Sequence, residues 1–175
     1  QESEELLTTF CEPYKKSGIT SWDCDHFATV NGIQTKINGG HKKKYIDVVL
    51  EDYFTHLKEN HSMNYEQILN YSYQLLTNHP IISETLSKLF QYILVDEYQD
   101  TKDIQYQIIG KILKSGNGVT KSFIVGDPNQ SIYGNLGGYP ILLKSLESIT
   151  GLSFQECHLE NNYRSSKKIL EYFDG

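Results

Sequence analysis

The chain has three cysteines, one methionine, one tryptophan and four prolines among its 175 residues, and each scarcity excludes something. Cys11, Cys24 and Cys157 share no C-x-x-C spacing. Neither a disulfide framework nor a zinc site is therefore expected, and scattered thiols suit a reducing cytosol. No apolar run approaches the roughly 20 residues of a membrane span, and the charged start carries no secretory apolar core. A cytoplasmic protein with no membrane partner is the expectation. Basic residues are outnumbered, 16 against 22 acidic, for a net charge of −6. A nucleic acid would then be held by local cation clusters and not by the total charge. His41 to Lys44 and Lys167-Lys168 are the candidates, and each reads more simply as a solvated patch. A phosphate-cradling G-x-x-x-x-G-K-S/T is absent. Gly39-Gly40-His41-Lys42-Lys43-Lys44 has the wrong spacing and no strand before it, and reads as a solvated turn.

What is present is a sequence able to bury a core. Apolar residues make up 38% and aromatics 12% of the chain, too many for disorder, and the length suits one compact unit with an appendage. Most of the 13 tyrosines are expected to pack half-buried with the hydroxyl in water. The most informative stretch is Ile93-Leu94-Val95-Asp96-Glu97-Tyr98-Gln99-Asp100-Thr101. Tyr92 to Val95 suits a strand buried on both faces of a parallel sheet. Asp96 and Glu97 then fall where that strand ends, the edge at which open α/β sheets place ligands. Two adjacent carboxylates there can divide nucleotide hydrolysis: one holds Mg²⁺, the other takes a proton from the attacking water.

Ile104, Ile108, Ile109, Ile112 and Leu113 recur at helical spacing, with Thr101 and Asp103 as candidate caps. Lys121 to Val125 then reads as a second buried strand, ending in Gly126-Asp127-Pro128-Asn129-Gln130-Ser131-Ile132-Tyr133-Gly134. Strand, helix and strand predict a right-handed βαβ unit whose loops line up Asp96, Glu97, Asp127 and Gln130. The Gln130 amide can bond both a phosphate oxygen and a nucleophilic water. A third strand is expected from Ser153 to Leu159. It leads into Glu160-Asn161-Asn162-Tyr163-Arg164-Ser165-Ser166 and a short helix with Ile169, Leu170 and Phe173 on its apolar side. Arg164 at that helix start is poorly placed for the helix dipole, and makes better sense reaching for an anion.

DEYQDT, GDPNQSIYG and NYRSS, in this order and with one helical crossover between the first two, resemble motifs II, III and IV of superfamily 1 DNA helicases of the UvrD/Rep/PcrA type. Met63 to Leu69 also resembles the family's approach to motif II, so the likeness runs from about Met63 to Phe173. The resemblance implies ATP and Mg²⁺ as cofactors and DNA, single-stranded or duplex, as partner. It makes Asp96 the Mg²⁺-associated acid, with Glu97 beside it as the base that activates water. Gln130 becomes the sensor of the γ-phosphate, Tyr163 the ring that stacks on adenine, and Arg164 the arginine that contacts the γ-phosphate. Tyr133 is a candidate DNA contact. Asn135 stands where many relatives carry a base-stacking aromatic, and Leu136 where an Arg is usual, so this part of the DNA track is expected to be weakened or rebuilt.

In the family the phosphate loop lies N-terminal to everything seen here. The chain is therefore expected to be an internal segment of a longer motor, inactive alone, with the rest of its own helicase chain as partner. The fold class this implies is α/β: part of a RecA-like (P-loop NTPase) parallel sheet with flanking helices, plus a mostly helical inserted subdomain. The insertion is assigned to residues 1–62 and the ATPase domain to 63–175. Before Met63, helices are expected over Glu4–Lys16 and Tyr45–Asn60, with a mixed stretch from Ser21 to Gly40. Asn64–Asn78 reads as a further helix stopped by His79-Pro80. The leading expectation is part of an ATP-dependent DNA helicase or translocase moving 3′→5′. The alternatives are the motor module of a helicase–nuclease or defence assembly, with a nuclease or repair partner, and a non-catalytic remnant that binds DNA or protein.

Overall fold

The computed structural model describes residues 2–131, 140–159, 165–166, 168–169 and 172. Helix α1 (Glu2–Cys11) gives way at Pro13 to a 3₁₀ turn over Glu12–Ser17, closed by Gly18 at φ 70. A proline has no N–H for the α ladder, so the single helix expected from Glu4 to Lys16 breaks into two kinds of turn. Strands β1 (His26–Thr29) and β2 (Gly32–Thr35) form an antiparallel hairpin with Thr29 opposite Gly32. Gly32, at φ 118, takes a backbone conformation that a side chain would strain. Helix α2 (Lys43–Glu59) buries Ile46, Val49, Leu50, Tyr53 and Leu57, spaced along one face. They meet Leu7 and Cys11 of α1, with Ile19 and Cys24, in the largest core. Each such fully buried side chain contributes about 1.5–3 kcal/mol.

Helix α3 (Tyr65–Asn78) starts with a reciprocal cap. Asn64 Oδ1 accepts the Gln67 N–H at 2.8 Å, and Gln67 Oε1 accepts the Asn64 N–H at 3.1 Å. His79-Pro80 does stop this helix, but Pro80 also opens α4 (Pro80–Leu89), which the sequence reading missed. At the first helical position a missing N–H costs nothing.

Strand β3 (Tyr92–Val95), helix α5 (Asp103–Gly116) and strand β4 (Lys121–Ile124) follow, and the strands pair in parallel from Tyr92↔Lys121 to Val95↔Ile124. The cap of α5 is neither Thr101 nor Asp103. Lys102 holds the extended cap position, and Gln105 Oε1 reaches back to accept its N–H at 2.8 Å. Helix α5 buries Ile104, Tyr106, Gly110 and Leu113 and packs on α3, α4 and α6 (Leu143–Thr150). At Gly110 a Cβ would lie 2.4 Å from Ile149 Cγ2, so only glycine lets α6 come this close.

Two further expectations fail. β3 and β4 are not buried on both faces: Tyr92, Leu94 and Phe123 are 62%, 73% and 64% exposed, while Ile93, Val95 and Ile124 turn inward. Helices cover one face of this two-stranded sheet, and no described element covers the other. The stretch from Ser153 to Leu159 forms no strand, because no described strand offers it a ladder. Phe154 packs inward beside Tyr106 instead, and its N–H donates to a Glu147 carboxylate oxygen at 3.1 Å. The observed architecture is thus mixed α and β with two small sheets, one antiparallel and one parallel.

Candidate functional site: the loops after β3 and β4

Asp96 and Glu97 sit exposed where β3 ends. Glu97 adopts φ 50, ψ 51, a left-handed conformation that costs a non-glycine residue on the order of 1–3 kcal/mol. That reversal turns the strand at once into a 3₁₀ turn over Tyr98–Asp100. Asp96 supports it, accepting the Glu97 N–H on Oδ1 at 2.9 Å. The two loops are then laced together. Val125 N–H donates to Val95 O at 2.9 Å, and Tyr98 N–H donates to Val125 O at 3.0 Å. Tyr106, buried in α5, holds the turn from beneath by donating its hydroxyl to Tyr98 O at 2.5 Å.

Gln99 completes the lacing. Its side chain is 1% exposed; Nε2 donates to Glu97 Oε2 at 2.6 Å, and Oε1 accepts the Asp127 N–H at 3.0 Å. This network fixes the amide orientation, since a carboxylate needs a donor and an N–H an acceptor. The close approach also explains Gly126, where a Cβ would fall 2.3 Å from Gln99 Oε1 and 2.7 Å from Tyr98 N. Asp127 in turn caps the 3₁₀ turn Pro128–Gln130. Its Oδ1 accepts the Asn129 N–H at 2.9 Å, and its Oδ2 accepts from Gln130 Nε2 at 2.9 Å. The bonds from the Gln130 side chain and then from Asn129 hold the Asp127 carboxyl below the usual carboxylate range.

Asp96, Glu97, Asp127 and Gln130 therefore lie on adjoining loops at one end of the parallel pair. Tyr133, Tyr163 and Arg164 lie outside the described residues, as do Asn135, Leu136, Leu170 and Phe173. Lys168, Ile169 and Tyr172, just beyond, are in helical conformation. Asp100 Oδ1 and Ser122 Oγ are buried with no hydrogen-bond partner among the described residues.

No group of three or more His, Cys, Asp or Glu side chains able to hold a metal occurs among the described residues. Mg²⁺ does not demand one beside a nucleotide, because it takes one or two carboxylates and completes its shell with phosphate oxygens and water. Asp96 and Glu97 are two adjacent exposed carboxylates, a donor set of the size that such coordination needs. The basic cluster at the start of α2 is spent locally. Lys42 Nζ lies 2.9 Å from Asp23, Lys43 pairs with Asp47, and Lys44 lies over the Tyr45 ring.

A second polar joint ties this edge to the hairpin. Lys102, one residue past DEYQDT, places Nζ 2.5 Å from Glu66 Oε1 on α3, and Glu66 Oε2 accepts the Ala28 N–H of β1 at 2.7 Å. Sequence reasoning missed both Gln99 and this joint. Gln99 lies inside DEYQDT, but nothing local says that its side chain turns inward to bridge Glu97 and Asp127. Glu66 and Lys102 are 36 residues apart.

The family model described as the UvrD/REP helicase N-terminal domain matches residues 2–149. The chain belongs to this family. It is 33% identical over 144 residues to the ATP-dependent DNA helicase PcrA of Bacillus subtilis, covering 78% of this chain and 18% of that protein. It is 38% identical over 109 residues to DNA helicase II of Haemophilus influenzae, covering 62% and 14%. Against the ATP-dependent DNA helicase Rep of Buchnera aphidicola from Acyrthosiphon pisum it is 30% identical over 157 residues, covering 87% and 23%. The chain thus spans about a fifth of the length of the curated relatives it matches. No helix among the described residues is long and apolar enough to cross a membrane.

Proposed function

We propose that this UvrD/REP family chain is the part of an ATP-dependent DNA helicase or translocase that carries the hydrolytic edge of the first RecA-like domain. The observation that carries the reading is the lacing of the β3 and β4 loops through Gln99, which sets Glu97 and Gln130 on one continuous polar edge. In this reading Glu97 takes the proton from the attacking water and Gln130 contacts the γ-phosphate. Asp96 holds Mg²⁺, which when bound offsets the phosphate charge. Tyr163 stacks on adenine, and Arg164 reaches the γ-phosphate. Residues 63–175 belong to the ATPase domain and residues 1–62 to an inserted subdomain. The rest of the gene product supplies the phosphate loop and second RecA-like domain, and the movement on single-stranded DNA is 3′→5′. The exposed row of Tyr92, Leu94 and Phe123 supports this reading, since a parallel sheet is ordinarily covered on both faces.

The test is ATP turnover by the full-length gene product, with and without single-stranded DNA. DNA-stimulated hydrolysis that Glu97→Gln lowers by about 10²–10⁴ is expected, the usual contribution of a positioned base. Turnover unchanged by Glu97→Gln would refute the assignment.

A further inference from the structure

The amide of Gln99 stands between two groups to which the proposed function gives work, and its own role is a separate question. From Glu97 Oε2 a hydrogen bond runs to Gln99 Nε2, from Gln99 Oε1 to the Asp127 N–H, and from Asp127 Oδ2 to Gln130 Nε2, at 2.6, 3.0 and 2.9 Å. The chain of contacts is continuous, and its middle member is almost fully buried. Its two outer members are exposed. Each exposed side chain carries several rotatable bonds and sits on a short loop, so neither would hold one direction unaided. We propose that Gln99 is a positioning residue for hydrolysis: its amide aims the Glu97 carboxylate and fixes it relative to Asp127 and, through Asp127, to Gln130.

Three features favour this over a Gln that merely fastens two loops. Backbone bonds already fasten them, from Val125 to Val95 and from Tyr98 to Val125. The Gln99 donor goes to the Glu97 carboxylate, although a buried amide could have been satisfied by carbonyls. A Cβ at Gly126 would meet Gln99 Oε1 at 2.3 Å as well as Tyr98 Cδ1 and N at 2.6 and 2.7 Å, so this amide is packed at close quarters against the second loop. The inference rests on the reading of Glu97 as the base, and goes beyond it by naming what sets its direction.

The test uses the full-length gene product with single-stranded DNA and ATP. Gln99→Glu keeps the length of the side chain and an acceptor for the Asp127 N–H, but replaces the amide donor with a carboxyl that repels the Glu97 carboxylate or shares one proton with it, which undoes the aim set by the amide. Gln99→Leu removes both bonds and serves if the first variant fails to fold. Misplacing a reacting group by about 1 Å can cost about 10²-fold. A loss in kcat of about 10–100-fold is therefore expected, with KM for ATP within about 3-fold of the parent. In a Glu97→Gln background the same substitution should cost little more, because groups that act as a unit are not additive. A folded Gln99→Glu or Gln99→Leu protein with parental kcat would overturn the proposal. So would a loss confined to KM or to the melting temperature, or one that adds in full to that of Glu97→Gln. If Glu97→Gln itself retains turnover, the reading of Glu97 fails and takes this inference with it. If Glu97→Gln is inactive while Gln99→Glu is not, only the role of Gln99 is lost.

Discussion

Replacing Glu66 with alanine removes the centre of the joint between hairpin, α3 and α5, and its cost can be worked from the contacts. Glu66 and Lys102 keep only 13% and 22% of their side-chain surface in water. One carboxylate oxygen meets the Lys102 ammonium at 2.5 Å, and the other accepts the Ala28 N–H at 2.7 Å. Breaking a buried pair by removing one partner costs about 3–5 kcal/mol, and a hydrogen bond to a charged group is worth about 1.5–3 kcal/mol. The two figures count one carboxylate twice, and Lys102, which also lies over the Tyr65 ring, can turn partly towards water, so about 2–3 kcal/mol is expected in place of their sum. For a chain of this size each kcal/mol moves the melting temperature by about 2–4 °C, giving a fall of about 5–10 °C. Glu66→Gln keeps an acceptor for Ala28 but no charge for Lys102, and should lose about half as much. Urea unfolding of the 175-residue chain, followed by circular dichroism, reads both variants against the parent. A Glu66→Ala protein within about 0.5 kcal/mol of the parent would refute the reasoning, because such a value belongs to a surface substitution.

Other outcomes follow from particular contacts. Gly110→Ala forces a methyl to within 2.4 Å of Ile149 Cγ2 and should cost about 1–3 kcal/mol as overpacking between α5 and α6, read by the same unfolding curves. Gln130→Ala should let the Asp127 carboxyl rise towards its ordinary range, followed by carbon-13 NMR of that group. Because the folded value is depressed, the stability tied to Asp127 is present above the ordinary Asp value, near about 4, and lost as pH falls through the folded value; Asp127→Asn should remove that dependence. Burial raises the thiols of both Cys11 and Cys24, the latter to about 12, whereas Cys157 is exposed. Iodoacetamide at neutral pH should therefore label Cys157 alone in the folded chain, and labelled Cys24 in the mass spectrum would contradict its burial.

The parts legible in the sequence were those with local causes. Ile104, Ile108 and Leu113 at helical spacing, between two short apolar runs, foretold α5 between two parallel strands. Asn64–Asn78 is legible as a helix stopped by His79-Pro80, and the structure adds the Asn64–Gln67 cap. Pro80 was read for what it forbids and not for what it permits, which hid α4. The hairpin is legible only as a mixed stretch from Ser21 to Gly40, because Phe27, Val30 and Ile33 do not alternate cleanly with polar residues. Burial on both faces of β3 was inferred from an unbroken apolar run, yet such a run says only what a strand could pack against. Tyr92 and Leu94 face outward with nothing described over them. The loop carboxylates and Gln130 were visible as motifs, but the lacing that sets them side by side was not. It depends on Gln99 and Gly126 meeting across 27 residues of chain, a contact that only the parallel register of β3 and β4 creates.

The most direct test of the central claim is a crystal structure of the full-length gene product with Mg²⁺ and a non-hydrolysable ATP analogue. The account predicts a γ-phosphate at the edge formed by the β3 and β4 loops, with the Gln130 amide on a phosphate oxygen and the Glu97 carboxylate facing the water behind it. A nucleotide bound elsewhere, with Glu97 and Gln130 left in solvent, would contradict it.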